Sequence, residues 1–302
     1  MASSTWQGRD RGLQRRMFGT MFGLGLLYVV FIGIVIALGA SVVLVVVLAS
    51  AFLFFQIFFG DKLALRSMGA RVTEPHEAPE LHAMIERMAQ LQDIPKPKVA
   101  LAKTDMPNAF AAGHSRKSAV VCCTTGLMER LDRDELEGVV AHEMAHVINR
   151  DVMVMTIAGF LATVAGLLIR FGMYGRMGGG GRNGAAAFVV ILLVSIITYA
   201  LSFILIRALS RYREYAADRG AAIITGAPAS LASALQKISG SMARIPQQDL
   251  RQAEGMNAFF IMPASAKDTF TRLFSTHPPA EERVRRLMEM QARMDSMGRI
   301  EL

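Results

Sequence analysis

The sequence is poor in the residue that cross-links small secreted proteins: cysteine occurs only twice among 302 residues, at Cys122 and Cys123. Neighbouring cysteines make poor disulfide partners because their geometry strains the bond. We therefore interpret the pair as two small residues of a β-strand and do not expect a disulfide framework. A reducing compartment is compatible with this composition.

Charged residues are absent from three long stretches, residues 17–60, 152–169 and 185–206. A single helix over residues 17–60 would be about 66 Å long, twice the hydrocarbon thickness of a bilayer, so we divide it at residues 39–41. The two later stretches are each long enough to span. The sequence thus predicts four transmembrane helices in two hairpins, although a buried hairpin of a globular domain remains an alternative for the later pair.

The remaining charge is mostly basic, with a formal net charge of +8. Basic residues flank the apolar stretches and do not alternate with aromatics, which favours a membrane surface over nucleic acid as the partner. Their distribution predicts a multi-pass protein of the cell (plasma or inner) membrane with both termini and residues 61–151 cytoplasmic, although Arg170, Arg176 and Arg182 count against this orientation. The predicted segments are a cytoplasmic tail (1–16), a transmembrane hairpin (17–60), a cytoplasmic region that contains two closely spaced histidines (61–151), a second hairpin with a glycine-rich loop at 171–184 (152–206), and a second cytoplasmic region (207–302).

A metal motif lies between the two predicted hairpins. Asp132 and Glu135 have the spacing of a capping box, so a helix should begin there. His146 lies four positions after His142, which places both on one helix face, where they can share a zinc ion. Glu143 lies beside them as the general base for an attacking water. The alternative is an amphipathic helix with two hydrogen-bonded histidines.

A third zinc ligand is predicted at Glu214, on a helix just beyond the fourth apolar stretch. Asp218 lies one turn later on the same face and could orient a ligating histidine. Arg211 could hold Glu214 or a neighbouring carboxylate, and a plain surface arginine is the alternative. The whole segment could instead be a solvated charged helix.

Residues 61–151 have the character of a soluble domain. A helix after Pro79 should bury one apolar stripe, and three short strands are predicted at residues 99–103, 108–112 and 119–123. The second would be the edge strand that pairs with an extended substrate through Asn108, Ala109 and Phe110, unless it is an interior strand. His277 could donate to the oxyanion of the tetrahedral intermediate or merely end a loop. The apolar stripe predicted for the helix after Pro79 is formed by Leu81, Met84, Ile85, Met88 and Leu91.

These motifs, taken in order, resemble the HtpX-type integral membrane zinc metallopeptidases, which are related to the CAAX prenyl endopeptidases. The resemblance rests on the apolar stretches and on four motifs: Pro-Asn-Ala-Phe at 107–110 with Gly113, His-Glu-Met-Ala-His at 142–146, the segment 210–218, and Thr-His-Pro-Pro at 276–279. It implies one zinc per chain, held by His142, His146 and Glu214. It also implies a cytoplasmic-facing site that clears damaged or misfolded membrane proteins, with self-cleavage in some members.

We therefore expect an α+β fold, mainly α, in which four transmembrane helices carry a zincin-like cytoplasmic catalytic domain with a small β-sheet. Its function would be hydrolysis of membrane-protein or unfolded polypeptide substrates. Two alternatives are an intramembrane-cleaving metalloprotease and a non-catalytic membrane scaffold. The acidic first turns of the motif helix argue against the former, and the intact Glu143 argues against the latter.

Overall fold

The computed structural model describes residues 11–37, 42–174, 182–242 and 278–298. This part of the chain is mostly helical, with one small mixed sheet. Its helices are α1 (Arg11–Ala37), α2 (Val42–Ser67), α3 (Pro79–Leu91), α4 (Thr125–Met128), α5 (Arg133–Asn149), α6 (Asp151–Tyr174), α7 (Arg182–Thr225), α8 (Pro228–Met242) and α9 (Ala280–Gly298). Its strands are β1 (Ala70–Val72), β2 (Lys98–Ala102), β3 (Ala109–Ala112) and β4 (Val120–Thr124).

The chain divides into two compact units. The first comprises Met1–Arg11, Gly60–Met153 and Ser210–Leu302, and the second comprises Gly12–Phe59 and Val154–Leu209. The first unit contains the sheet and the predicted metal ligands, and the second contains most of the uncharged sequence. The boundaries at residues 60 and 153 lie close to the predicted ends of apolar stretches.

The sheet has the strand order β1-β2-β4-β3. β2 and β4 run parallel, with Val99 opposite Val121, whereas β3 runs antiparallel to β4, with Phe110 opposite Cys122. Cys122 and Cys123 are free thiols buried in β4, as the strand interpretation predicts. Among the described strands β3 pairs only with β4, so it lies at an edge of this sheet.

One face of the sheet packs against α3 and α5, and α8 and α9 continue the same apolar core, α8 against α5 and α9 against α8. The predicted stripe of α3 is buried at four of its five positions, but Leu91 is 65% exposed. The prediction for Leu91 was wrong because it is the last residue of the helix. The chain then turns through Asp93, whose φ is +50°, and buries Ile94 in the core.

The opposite face of the sheet contacts the end of α2. Ala64 packs there with Phe110, Val120 and Cys122. The sheet is thus covered on both faces within the first unit, which explains why all five residues of β4 are buried and apolar or small.

Helix α5 begins where the sequence predicts. The Asp132 side chain accepts a hydrogen bond from the Glu135 backbone N–H, and the Glu135 side chain accepts one from the Asp132 N–H. This capping box satisfies two N–H groups that the helix itself cannot. Ser233 and Lys237 of α8 donate to the Glu135 carboxylate, which ties the start of α5 to a neighbouring helix.

The second unit is a group of apolar helices. Leu24 of α1, Ala158 of α6 and Leu209 of α7 form its small buried cluster, and the Tyr28 hydroxyl donates to the carbonyl oxygen of Ala158. Three described segments are long and apolar enough to cross a membrane: Arg11–Ala37, Asp151–Ile169 and Val189–Thr225. α2 is not among them, so the fourth predicted span stays a prediction.

Candidate metal centre

Two helices bring three predicted ligands to one point. His142 and His146 lie one turn apart on α5, and Glu214 comes from α7. The Nε2 atoms of the two histidines are 3.1 Å apart, and each lies 3.5 Å from an oxygen of Glu214. One ligand atom from each of the three residues lies within 4.8 Å of the others. This arrangement fits a single cation held between two imidazoles and a carboxylate.

The approach of α7 to α5 depends on a glycine. A Cβ atom placed on Gly220 would lie 2.7 Å from the Cβ of Ala145, closer than carbon atoms pack. Because Gly220 has no side chain, the turn of α7 that carries Glu214 and Asp218 can lie against the metal helix.

Each histidine has a carboxylate on its other ring nitrogen. Asp218 Oδ1 lies 3.0 Å from His142 Nδ1, and Asp151 Oδ2 lies 2.5 Å from His146 Nδ1. A carboxylate that accepts the Nδ1–H bond leaves Nε2 with its lone pair available to a metal. The sequence reasoning placed Asp218 in this role but assigned none to Asp151.

A buried arginine from the last described helix completes the charge arrangement. Arg283 of α9 is fully buried, and its guanidinium donates to Asp218 at 2.6 and 2.9 Å. The same group lies 3.2 Å from Glu214 Oε2. Sequence reasoning missed Arg283 because α9 is rich in both charge signs, a pattern typical of a solvated helix.

The pKa values of both predicted histidine ligands are raised. Burial and the Arg283 cation act to lower the pKa of His142, but hydrogen bonds to Asp218 and Glu214 outweigh them and raise it. Burial likewise lowers and Glu214 raises the pKa of His146, which also ends above its ordinary value. Without a metal these imidazoles therefore hold protons readily, and metal binding must displace them.

The predicted general base lies inside the same region. Glu143 is buried, directly after His142 on α5. Its carboxylate is near β4: burial raises the pKa of Cys122 to about 12, and the Glu143 charge contributes to that rise. Burial also raises the pKa of Cys123, so both cysteines are protonated thiols at neutral pH.

The remaining predicted residues stand as follows. Asn108, Ala109 and Phe110 are buried at or beside β3, and the Asn108 N–H donates to Thr124 Oγ1 at 2.9 Å. The substrate role of this strand and the carboxylate-holding role of Arg211 stay predictions. His277 lies outside the described residues.

Comparison with known proteins identifies relatives over almost the whole chain. The family model described as Peptidase family M48 matches residues 75–291. Protease HtpX homolog 2 of Methanosarcina mazei is 50% identical over 290 residues, which cover 96% of this chain and 98% of that protein. Protease HtpX homolog of Moorella thermoacetica is 51% identical over 291 residues, covering 95% and 97%, respectively.

Two further similarities extend this set. Protease HtpX homolog 1 of Streptomyces coelicolor is 52% identical over 294 residues, covering 96% of this chain and 93% of that protein. The crystal structure of S. mikatae Ste24p matches with a TM-score of 0.48 and 18% identity, over 92% of this chain and 66% of that one. The family match covers well over half of the chain, and the sequence relatives extend across nearly its full length. The chain therefore belongs to peptidase family M48, among the HtpX-type membrane proteases.

Proposed function

We propose that this protein is a zinc-dependent endopeptidase that hydrolyses misfolded or damaged membrane proteins at the cytoplasmic face of the cell membrane. The observation that carries the proposal is the convergence of His142, His146 and Glu214, with both imidazoles oriented by carboxylates. Family membership supports the protease activity, and the three apolar helices support a membrane location.

The donor set fits zinc. Two imidazole nitrogens and one carboxylate oxygen are its usual ligands in catalytic sites, and three protein ligands leave one position open. Both histidines are oriented through Nδ1, as metal-binding histidines usually are. When bound, zinc would supply Lewis-acid polarisation of a peptide carbonyl and make water a better nucleophile at neutral pH.

The chain's own residues would move the proton. Glu143 would accept a proton from the attacking water as its oxygen bonds to the peptide carbon. The same carboxyl would then give that proton to the peptide nitrogen as the C–N bond breaks, which returns Glu143 to its starting state. His277 would donate a hydrogen bond to the oxyanion.

Substrate binding would use the edge strand. An extended polypeptide added beside β3 would form main-chain hydrogen bonds that require little side-chain specificity. Such a mode suits a protease that accepts unfolded segments of many proteins, including another copy of its own chain.

The membrane arrangement that we propose has four spans in two hairpins, over residues 17–60 and 152–206. An even number of crossings between His146 and Glu214 is required, because both must reach one metal. The excess of Lys and Arg in the short flanks supports the cytoplasmic side for the site.

The function can be tested with protein purified in detergent, by measuring bound zinc and hydrolysis of an unfolded fluorescent polypeptide. Glu143→Gln should retain zinc and lose hydrolysis by several orders of magnitude, because proton transfer alone is removed. His146→Ala should lose both. Activity of Glu143→Gln within tenfold of wild type, or a wild-type protein that binds no zinc, would contradict the proposal.

A further inference from the structure

Two carboxylates contact the histidines of the candidate site, and they come from different helices. Asp218 lies on the ligand helix α7, four residues after Glu214. Asp151 is the first residue of α6 and contacts the second histidine, His146. No motif of the sequence draws attention to Asp151.

We propose that Asp151 is a positioning residue that fixes the orientation and tautomer of His146, and that Arg213 couples this contact to the helix carrying Glu214. The inference rests on the proposed metal site. It assigns the second histidine a separate support from the one that Asp218 gives to His142.

The contact is short and buried. Asp151 Oδ2 lies 2.5 Å from His146 Nδ1, and the Asp151 side chain is only 7% exposed. A carboxylate accepts a hydrogen bond but cannot donate one when ionised. The proton of a neutral His146 is therefore placed on Nδ1, and Nε2, which faces His142 and Glu214, keeps its lone pair.

A helix break creates this contact. In an uninterrupted α-helix a residue five positions after His146 would lie about 140° around the axis and could not face the ring. Arg150 instead adopts φ = +57°, which ends α5 and begins α6 at the next residue. The Arg116 guanidinium donates to the Ile148 carbonyl oxygen at 2.6 and 3.1 Å, which supports the open end of α5.

The other oxygen of Asp151 pairs with a buried arginine on α7. Arg213 contacts Asp151 Oδ1 and donates to the Asn149 carbonyl oxygen at 3.5 Å. Arg213 directly precedes the ligand Glu214. The pair therefore compensates the buried carboxylate and also attaches the ligand-bearing turn of α7 to the end of α5.

The Asp151–Arg213 ion pair could instead have a purely structural role. Two variants distinguish this role from the positioning of His146. Asp151→Asn removes the negative charge that pairs with the buried Arg213, so this variant should lose both stability and zinc affinity. The double variant Asp151→Asn/Arg213→Gln removes both charges, and its thermal midpoint should recover towards wild type. If Asp151 positions His146, the affinity for zinc should not recover with it.

The measurement is the zinc dissociation constant of full-length protein in detergent, obtained by competition with a chromophoric chelator. We expect affinity to fall ~10–100-fold in the single and the double variant. The visible absorption bands of the cobalt-loaded protein should also change in both. Asp132→Asn is the matched control, because it makes the same substitution at the opposite end of α5 and should leave zinc affinity unchanged.

Wild-type zinc affinity in the folded double variant would overturn the inference, since stability alone would then account for the pair. So would an Asp151→Asn protein that binds zinc within twofold of wild type. These outcomes differ from a failure of the proposed function, in which wild-type protein binds no zinc or His146→Ala binds as tightly as wild type.

Discussion

Gly220 on α7 lies close to the side chain of Ala145 on α5: a Cβ at position 220 would be 2.7 Å from the Cβ of Ala145. Ala145 immediately precedes His146, and Gly220 lies two residues after Asp218. This close approach of the two helices is therefore at the height of the predicted metal ligands. The distance of Glu214 from the histidines depends on the smallness of both residues.

Replacing Gly220 with alanine should separate these helices. Overpacking of this kind costs typically ~1–3 kcal/mol, so the thermal midpoint should fall, and zinc affinity should fall with it because Glu214 moves outward. Gly240→Ala on α8 is the control, because nothing lies within 4 Å of a Cβ there. The control should be neutral or more stable, since alanine favours a helix over glycine by up to ~1 kcal/mol. Equal behaviour of the two variants would show that the contact relaxes without consequence.

Arg283→Gln should destabilise the metal-free protein strongly. It leaves the buried carboxylates of Asp218 and Glu214 without their cation, a loss that costs ~3–5 kcal/mol in comparable buried pairs. Added zinc should restore part of the stability, because the metal also neutralises Glu214. Arg293→Gln, at an exposed position of the same helix, is the matched control. Thermal unfolding with and without zinc tests this prediction. An Arg283→Gln variant as stable as the Arg293→Gln control would show that Arg283 does not stabilise the buried carboxylates.

The carboxylate of Asp132 at the start of α5 should make the stability of the protein depend on pH. The Glu135 backbone N–H, followed by Lys237, holds the pKa of Asp132 below its ordinary value of 3.8. A lowered pKa contributes stability that is present above the unfolded-state pKa and lost as pH falls through the folded-state pKa. Asp132→Asn should therefore be less stable than wild type at pH 7, and the difference should shrink as the pH falls below 3.8, the ordinary pKa of aspartate. Unfolding curves at pH 7 and at a series of acidic pH values test this, and a constant difference would contradict it.

Cysteine labelling tests the membrane arrangement. Gly180→Cys, in the predicted outer loop, should react with an impermeant reagent in intact cells, whereas Gln236→Cys on α8 should react only after permeabilisation. The native thiols need not be removed, because Cys122 and Cys123 are buried and burial raises the pKa of Cys122 to about 12. Wild-type protein therefore serves as the unlabelled control. Reaction of both introduced cysteines from the same side would exclude the second hairpin.

Local sequence rules located the metal helix and its neighbours. The capping spacing of Asp132 and Glu135 gave the first turn of α5, because that motif is satisfied by contacts only three residues apart. The separation of His142 from His146 gave a common face for the same reason. The position of Glu214 beside the two histidines could be predicted because a metal site with two histidines requires a third ligand, which limited the search to acidic residues in suitable context.

Contacts that depend on tertiary structure could not be found in this way. Asp151 reaches His146 only because Arg150 adopts a left-handed backbone conformation. This conformation is uncommon for residues other than glycine, so the sequence does not predict it at an arginine. Arg283 lies 65 residues beyond Asp218 on a helix whose charges suggest exposure. Its position three residues after Ala280 and four before Leu287 places it on the apolar face of α9, a signal that the sequence contains. The periodicity does not show which carboxylates it meets, because Asp218 and Glu214 come from α7.

The dependence of the site on Arg283 also sets an order of events during synthesis. Glu214 is made 68 residues after His146, and Arg283 a further 69 residues later. At ~5–20 residues per second, Arg283 follows Glu214 by about 3–14 s. During that interval the growing chain has all three predicted ligands but lacks the cation that pairs with Asp218 and Glu214. We expect a chain truncated before Ala280 to be less stable than the longer chain, because these buried carboxylates then lack their cation. Thermal unfolding of the truncated protein would test this. The cluster of His142, His146 and Glu214 is therefore synthesised before the residue that balances its charge.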